Sequence, residues 1–397
     1  MAEEWRYFMD RRILMIPGPT ELHPDVQRVL CSPPHAHYGG EWKSIYDETI
    51  ELSRKIFNTE KSDVIIVPGP GTLALELGIA SVVEPGDTVI CVSSGFFGDR
   101  FGEVARYCGA NVITIKSDIG SVVSPDELEN TLENHKEVKA VLLVHNETST
   151  ATLSPVEEYV RIARRHGVLT LVDAISSYGG VNIDVDGWGI DFCVGYPNKC
   201  LAAMPGAVPV AISGEVLKAF ERRREKPRSW FTNLEVWRNY ISMWGDYGHP
   251  YPTTVNTYSV LALREASRAA VEEGLEKRYT RHKRVARAFR KAVRSMGLEI
   301  LPKEEFASPT VTALKLPREA AGKAEELVKL MLERYRIMIT GGINDSEKRV
   351  IRIGHMGVTA SARYLLPTIA ALAGSLRALG CTVDDGVDIL ARELAQS

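Results

Sequence analysis

From residue 60 to residue 212 the chain alternates short runs of β-branched and aliphatic residues with longer stretches in which polar and apolar positions follow a helical period. Apolar runs fall at 64–67, 88–92, 111–116, 139–144, 168–173 and 190–194. Between them lie a Gly-rich turn leading into TLALELGIASVV, a helical pattern near 98–107, and a helix opened by Ser154 and Pro155 that runs through Arg165. Another helix is announced by a capping box, with Ser124 at the N-cap, Pro125 at the first helical position and Glu127 at the third. Strands that are apolar along their whole length, separated by amphipathic helices, predict an α/β fold: a parallel sheet covered on both faces. In such sheets ligands bind outside the C-terminal ends of the strands, so the residues just after each run are the candidates for chemistry. Farther on, a strongly basic helical pattern at 276–291, strand-like runs near 310–315 and 336–340, and a helix through Leu379 predict a smaller α/β domain. The expected division is an N-terminal arm (1–20), a large domain (21–273) and a small C-terminal domain (274–397).

Length and composition narrow the picture. With 397 residues, 45% hydrophobic and 25% charged, the chain can bury one large core and a smaller one. A net charge of −3 supplies no general attraction to nucleic acid or anionic membranes. The six cysteines are scattered without a CxxC pair, which suits reduced thiols in a core better than a disulfide framework or a zinc site. The opening MAEEWRYFMDRR lacks the basic and apolar regions of a secretory signal, and no apolar stretch reaches the ~20 residues that span a bilayer. A cytoplasmic protein with no membrane partner is expected.

The strand ends are informative in order. Pro68-Gly69-Pro70-Gly71-Thr72 runs into a helix; glycine permits close backbone approach, and the free N–H groups of a helix start bind phosphate. The same stretch fits a dinucleotide fingerprint, but the acid required at the end of the next strand is missing, where Val92-Ser93-Ser94 stands. After that strand, Gly95-Phe96-Phe97-Gly98 offers an aromatic that could stack on a flat ring, although alone it reads as a core phenylalanine. Asp173 ends the VLTLVD run; a carboxylate there can keep a pyridinium nitrogen protonated, and is otherwise a turn or cap residue. After the next run, Pro197-Asn198-Lys199-Cys200-Leu201 sets a lysine among apolar and Gly/Pro neighbours. Burial disfavours the ammonium, and the neutral amine can form a Schiff base. The bland reading is a lysine snorkelling at a domain edge.

At these residues the sequence resembles the class V, fold-type I aminotransferases that depend on pyridoxal 5′-phosphate, in particular the alanine–glyoxylate and serine–pyruvate group. The resemblance runs from Pro17-Gly18-Pro19-Thr20 to the final helix and rests on HNETSTATLSP (145–155), LVDAISSYGG (171–180), PNKCLAAMPG (197–206) and VIRIGHMG (350–357). It implies a large domain with a mostly parallel seven-stranded sheet and a smaller C-terminal α/β domain. Lys199 would hold the cofactor and move the α-proton, and Asp173 would pair with the pyridine nitrogen. Phe97 would stack on the ring, with Phe96 the fallback, and Ser149 would approach its phenolic oxygen. Gly71, Thr72 and Asn198 would line the phosphate pocket, completed by Tyr251 and Thr254 from the partner subunit of a homodimer. Arg352 would grip the substrate carboxylate with its bidentate fork, and His37, Tyr38, Gly39 and Tyr251 would shape the substrate end. The implied reaction is ping-pong transfer of the amino group of alanine or serine to glyoxylate or pyruvate.

Two positions depart from the pattern. Pro70 replaces a polar residue, and Asn198 is one methylene shorter than the commoner glutamine. Local similarity to pyridoxamine–pyruvate aminotransferase, in PNKCL, RIGHMG and Ala307-Ser308-Pro309-Thr310, makes that activity the alternative. It is weakened by Pro70 in place of an acid and Ile343 in place of a second arginine. A lyase of the same fold, such as a desulfurase, would need a mobile reactive cysteine and a histidine on the ring. Cys381 is the only distal cysteine, and Phe97 holds the stacking place.

Overall fold

Each apolar run becomes a strand in the computed structural model, which describes residues 11–343 and 349–395. β1 (Asp63–Gly69), β2 (Thr88–Ser93), β3 (Asn111–Lys116), β4 (Val138–Val144), β5 (Leu169–Asp173), β6 (Phe192–Val194) and β7 (Gly206–Ile212) form one sheet in the order β1-β7-β6-β5-β4-β2-β3. All pairings are parallel except those of β7, which is antiparallel to both β1 and β6. A parallel return needs a crossover of a dozen or more residues; residues 195–205 contain no helix, so the chain turns back beside β6. That turn carries Lys199.

Helices Gly71–Val82, Phe96–Tyr107, Pro125–Asn134 and Val156–Arg165 connect the parallel strands. Side chains from both faces of the sheet are buried, among them Val89, Ile90, Leu142, Leu143 and Leu171, which is why the strands read as unbroken apolar runs. At the predicted cap, Ser124 Oγ accepts the Glu127 N–H at 3.2 Å with Pro125 behind it.

The second sheet is antiparallel throughout: β8 (Glu299–Ile300), β9 (Val311–Lys315), β10 (Thr340–Gly341) and β11 (Val350–Gly354), in the order β8-β9-β11-β10. It packs with helices Leu275–Ser295, Ala324–Tyr335, Ala362–Ala378 and Val387–Ala395. The run expected as one strand at 336–340 divides its pairing. Ile337–Met338 lies parallel to Ile13–Leu14, and Thr340–Gly341 joins β11. The start of the chain is therefore tied to the second core, into which Met15 is fully buried. Residues 1–10 of the expected arm lie outside the described residues. The first core runs from Val26 to Ala270 and the second resumes at Val285, which supports the boundary we propose near residue 274. Ala151 and Cys200 from one side meet Val311, Ala313, Val350 and Met356 from the other in a small apolar seam. Beside it, Asn146 Nδ2 donates to Ser176 Oγ (2.8 Å) and Thr310 Oγ1 (3.0 Å). Among the described residues, no helix is long and apolar enough to cross a membrane.

Candidate active site

Because β1, β2, β4, β5 and β6 run in one direction, their C-terminal ends open on one edge of the sheet. There a cavity of about 140 Å³ is lined by Gly71, Thr72, Phe97, Asp173, Asn198 and Lys199, together with Arg100, Asn146, Thr148, Ile175 and Tyr196. Wider surface clefts exist, one of about 850 Å³ beside the Arg222–Arg228 segment, but it holds none of these groups and mixes arginines with glutamates in the open.

Each wall has a local cause. Helix Gly71–Val82 starts after Pro70, which offers no side-chain cap, so its first amides keep their capacity to meet an anion. A Cβ on Gly71 would lie 2.4 Å from Ile175 Cδ1; glycine lets the helix approach the loop after β5 without displacing that side chain. Phe97, not Phe96, reaches the cavity; the two rings meet edge to face at 5.4 Å, and Phe96 lines the surface clefts beyond.

Asp173 is buried, with Oδ1 accepting the Ile175 N–H at 2.9 Å. Desolvation pushes its pKa up to about 7, and the nearby Glu147 charge adds to the rise, against the Ile175 hydrogen bond and the Lys199 and Arg100 cations. Lys199 is lowered to about 8, mainly by desolvation and further by Arg352. Its Nζ donates to the Pro17 carbonyl at 2.5 Å. Thr20 bonds the Lys199 and Asn198 carbonyls. Gly18 has φ +113°, and a Cβ there would come within 2.2 Å of Lys199 Nζ. The segment at 17–20 is thus the floor under the lysine. Asn198 Oδ1 is a buried acceptor with no partner among the described residues.

Arg352 lies on β11, flanked by the fully buried Ile351 and Ile353. Its Nε donates to the Gly341 carbonyl (2.9 Å) and Nη1 to the Thr148 carbonyl (3.1 Å). Burial lowers it to about 10, so it stays a cation at neutral pH, and among the described residues no carboxylate pairs with it. A cationic fork held only by carbonyls is suited to receive a carboxylate.

Other expected site residues lie elsewhere in the single chain. Ser149 borders a neighbouring cleft and bonds Glu147 and Phe96 N. Tyr251 is fully buried; its hydroxyl donates to the His37 carbonyl and accepts from Trp42 Nε1 at 2.6 Å. Thr254 is exposed. His37 and Tyr38 sit on a surface of aromatic rings with Tyr247 and His249. Glu147, Thr148, Pro17 and Arg100 were not singled out from the sequence. Glu147 and Thr148 follow β4 closely, so the strand-end rule pointed at the right stretch without choosing between its residues.

The aminotransferase class-V family model matches residues 32–359, and the chain belongs to that family. It is an enzyme, a transaminase of fold type I, and its cofactor is pyridoxal 5′-phosphate. It is 32% identical over 381 residues to an uncharacterized aminotransferase of Methanocaldococcus jannaschii, covering 96% of each chain. It is 32% identical to the alanine–glyoxylate aminotransferase of Oryctolagus cuniculus, covering 88% of each. The crystal structure of the ureidoglycine–glyoxylate aminotransferase from Bacillus subtilis superposes with a TM-score of 0.90 at 27% identity, over 96% of this chain and 98% of that one.

The residues present fit the cofactor. An uncapped helix start suits a phosphate pocket, and turning over the Asn198 amide, whose Oδ1 meets no donor among the described residues, would present its N–H₂ there. A buried acid suits a ring nitrogen and a desolvated amine suits an aldehyde.

Proposed function

We propose that this enzyme transfers the amino group of a small amino acid, alanine or serine, to a small 2-oxo acid, glyoxylate or pyruvate, by a ping-pong reaction. The observation that carries this reading is that Lys199 and Asp173 share one small cavity while the unpaired Arg352 bonds Thr148 on its wall. Two of the three relatives named above carry glyoxylate in their names, which supports that acceptor.

Gly71, Thr72 and Asn198 would hold the phosphate and Phe97 would cover one face of the ring; Ser149 would serve its phenolic side only on releasing Glu147, whereas Thr148 already lines the cavity. When bound, pyridoxal 5′-phosphate supplies a conjugated ring that delocalises the electron pair left at the substrate α-carbon. Asp173 holds a proton on the pyridine nitrogen. Arg352 anchors the substrate carboxylate and so fixes the α-carbon within reach of Lys199 Nζ. Lys199, neutral in a useful fraction near pH 8, takes the α-proton as general base. A desulfurase role is disfavoured, since Cys381 is buried in the second core with its thiol pushed up by desolvation.

Tyr38, Trp230, Ile241, Met243, Trp244 and Tyr247 are exposed, a surface that supports a homodimer. In it, Thr254 would serve the neighbouring subunit's phosphate pocket and His37 and Tyr38 its substrate end; Tyr251 would join Thr254 only on leaving the His37 carbonyl. The function is tested by a matrix of amino donors against 2-oxo acids, read by keto-acid consumption. Parallel double-reciprocal lines with alanine and glyoxylate are expected; pyruvate release from serine without an acceptor would overturn the reading. Sedimentation equilibrium tests the dimer, and a monomer at micromolar concentration would refute it.

A further inference from the structure

Glu147 has no part in the roles above, yet its carboxylate joins the loop after β4 to the start of the helix that carries Phe97. It is fully buried. Oε2 accepts the N–H groups of Phe97 (2.9 Å) and Gly98 (3.1 Å), and Oε1 accepts the Ser149 N–H (2.9 Å) and its hydroxyl (2.6 Å). Helix Phe96–Tyr107 has no cap from its own N-cap residue, Gly95; Glu147, reaching from the loop after β4, supplies one. A Cβ on Gly95 would lie 2.4 Å from Ser149 Oγ, so that position is kept bare for the approach.

The protons can be assigned. Both oxygens of Glu147 face only donors, so although burial raises its pKa, the arrangement is built for the carboxylate. Helix-start amides favour an anion there. Ser149 Oγ then has its hydrogen committed to Glu147 and one lone pair taken by the Phe96 N–H at 3.0 Å. The hydroxyl cannot rotate without breaking a charge-assisted bond.

We propose that Glu147 is a positioning residue of this active site, one anion that ties the backbone of the ring-covering Phe97 to Ser149 in the loop that also carries the cavity-lining Thr148. This rests on the cofactor-binding reading of Phe97. Glu147 does not touch the substrate; it acts through the Phe97 backbone and the loop that Ser149 holds.

The test is equilibrium binding of pyridoxal 5′-phosphate to the apoenzyme, well below each variant's melting temperature, for wild type, Glu147→Gln, Ser149→Ala and the double variant. Glu147→Gln keeps the volume but places an N–H₂ against at least one donor. It is expected to weaken binding roughly 10–100-fold, the scale of a lost charge-assisted hydrogen bond. The double variant should be within about twofold of the weaker single variant, because both break one linked unit. A residue that only supports the fold would lower the melting temperature and leave binding unchanged. A second readout is the pH dependence of binding. Glu147 raises Asp173, so Glu147→Gln should move the limb near pH 7 to lower pH, which loss of fold stability would not do. Unchanged affinity in Glu147→Gln, or losses that multiply in the double variant, would overturn the proposal. Should Glu147→Gln fail to fold, Glu147→Asp, which cannot span both pairs of donors, takes its place with the same expectation. Absence of cofactor binding in the wild type would defeat the functional reading instead.

Discussion

Two groups of buried and half-buried charge in this protein differ in how they are partnered. Arg278 is 4% exposed; it ion-pairs with Glu273 at 2.6 Å and donates to the carbonyls of Gly179 (2.7 Å) and Cys200 (2.6 Å). Arg281 shares Glu273 and donates to the Gly357 and Ala360 carbonyls, each at 2.9 Å. This unit clamps the end of β6's loop to the second domain, and each desolvated charge meets an opposite one. Around Lys199 the accounting is left open. Lys199 meets one carbonyl, Arg352 meets two, and Asp173 meets one amide. Charges without matched partners cost stability, and they are kept where a ligand supplies the missing partner. Complete pairing marks structure, and incomplete pairing marks the place prepared for chemistry.

That contrast can be broken first at Lys199. Lys199→Ala is expected to lower transamination by at least about 10⁴-fold, since the reacting amine is lost, read by keto-acid formation. Lys199→Met should also raise the apoenzyme's melting temperature near pH 7. The folded value of about 8 lies below the ordinary lysine value of 10.5, so the folded chain binds this proton less tightly than the unfolded chain. The cost, on the order of 1–3 kcal/mol, is fully present below pH 8 and fades between about 8 and 10.5, and the gain from methionine should fade with it. A melting temperature that falls would place Lys199 with Arg278.

Arg278→Met should do the reverse, costing about 1–3 kcal/mol in denaturant unfolding because the Gly179 and Cys200 carbonyls lose their buried donor, while Glu273 keeps Arg281. Arg352→Gln is expected to raise KM for the 2-oxo acid about 100-fold with little loss of stability, and Arg352→Lys to recover only part of it, lacking the planar fork. The smallest effect is with pH. Capture of the cofactor by the apoenzyme should increase with pH through about 7 and 8 as Asp173 ionises and Lys199 loses its proton. Asp173→Asn should remove the lower of the two limbs. A profile flat from pH 6 to 9 would show that neither group is perturbed as the structure indicates.

Much of this protein is local in its cause. Apolar runs bounded by turns specify strands wherever they fall, and Ser124-Pro125 specifies its helix start, because period, propensity and capping act over a few residues. The strand-end rule then carried Gly71, Phe97, Asp173 and Lys199 to one edge. What the chain order could not supply was pairing across distance. It did not say that β7 runs antiparallel, that Ile13–Leu14 lies beside Ile337–Met338, or that Pro17 meets the lysine amine. Nor did it show that Glu147 caps a helix some 50 residues before it. A glutamate is chosen for such a place only by the donors around it, and those are assembled by packing; residue type is written locally, but the field a buried charge feels is a sum over elements that only the folded chain brings together.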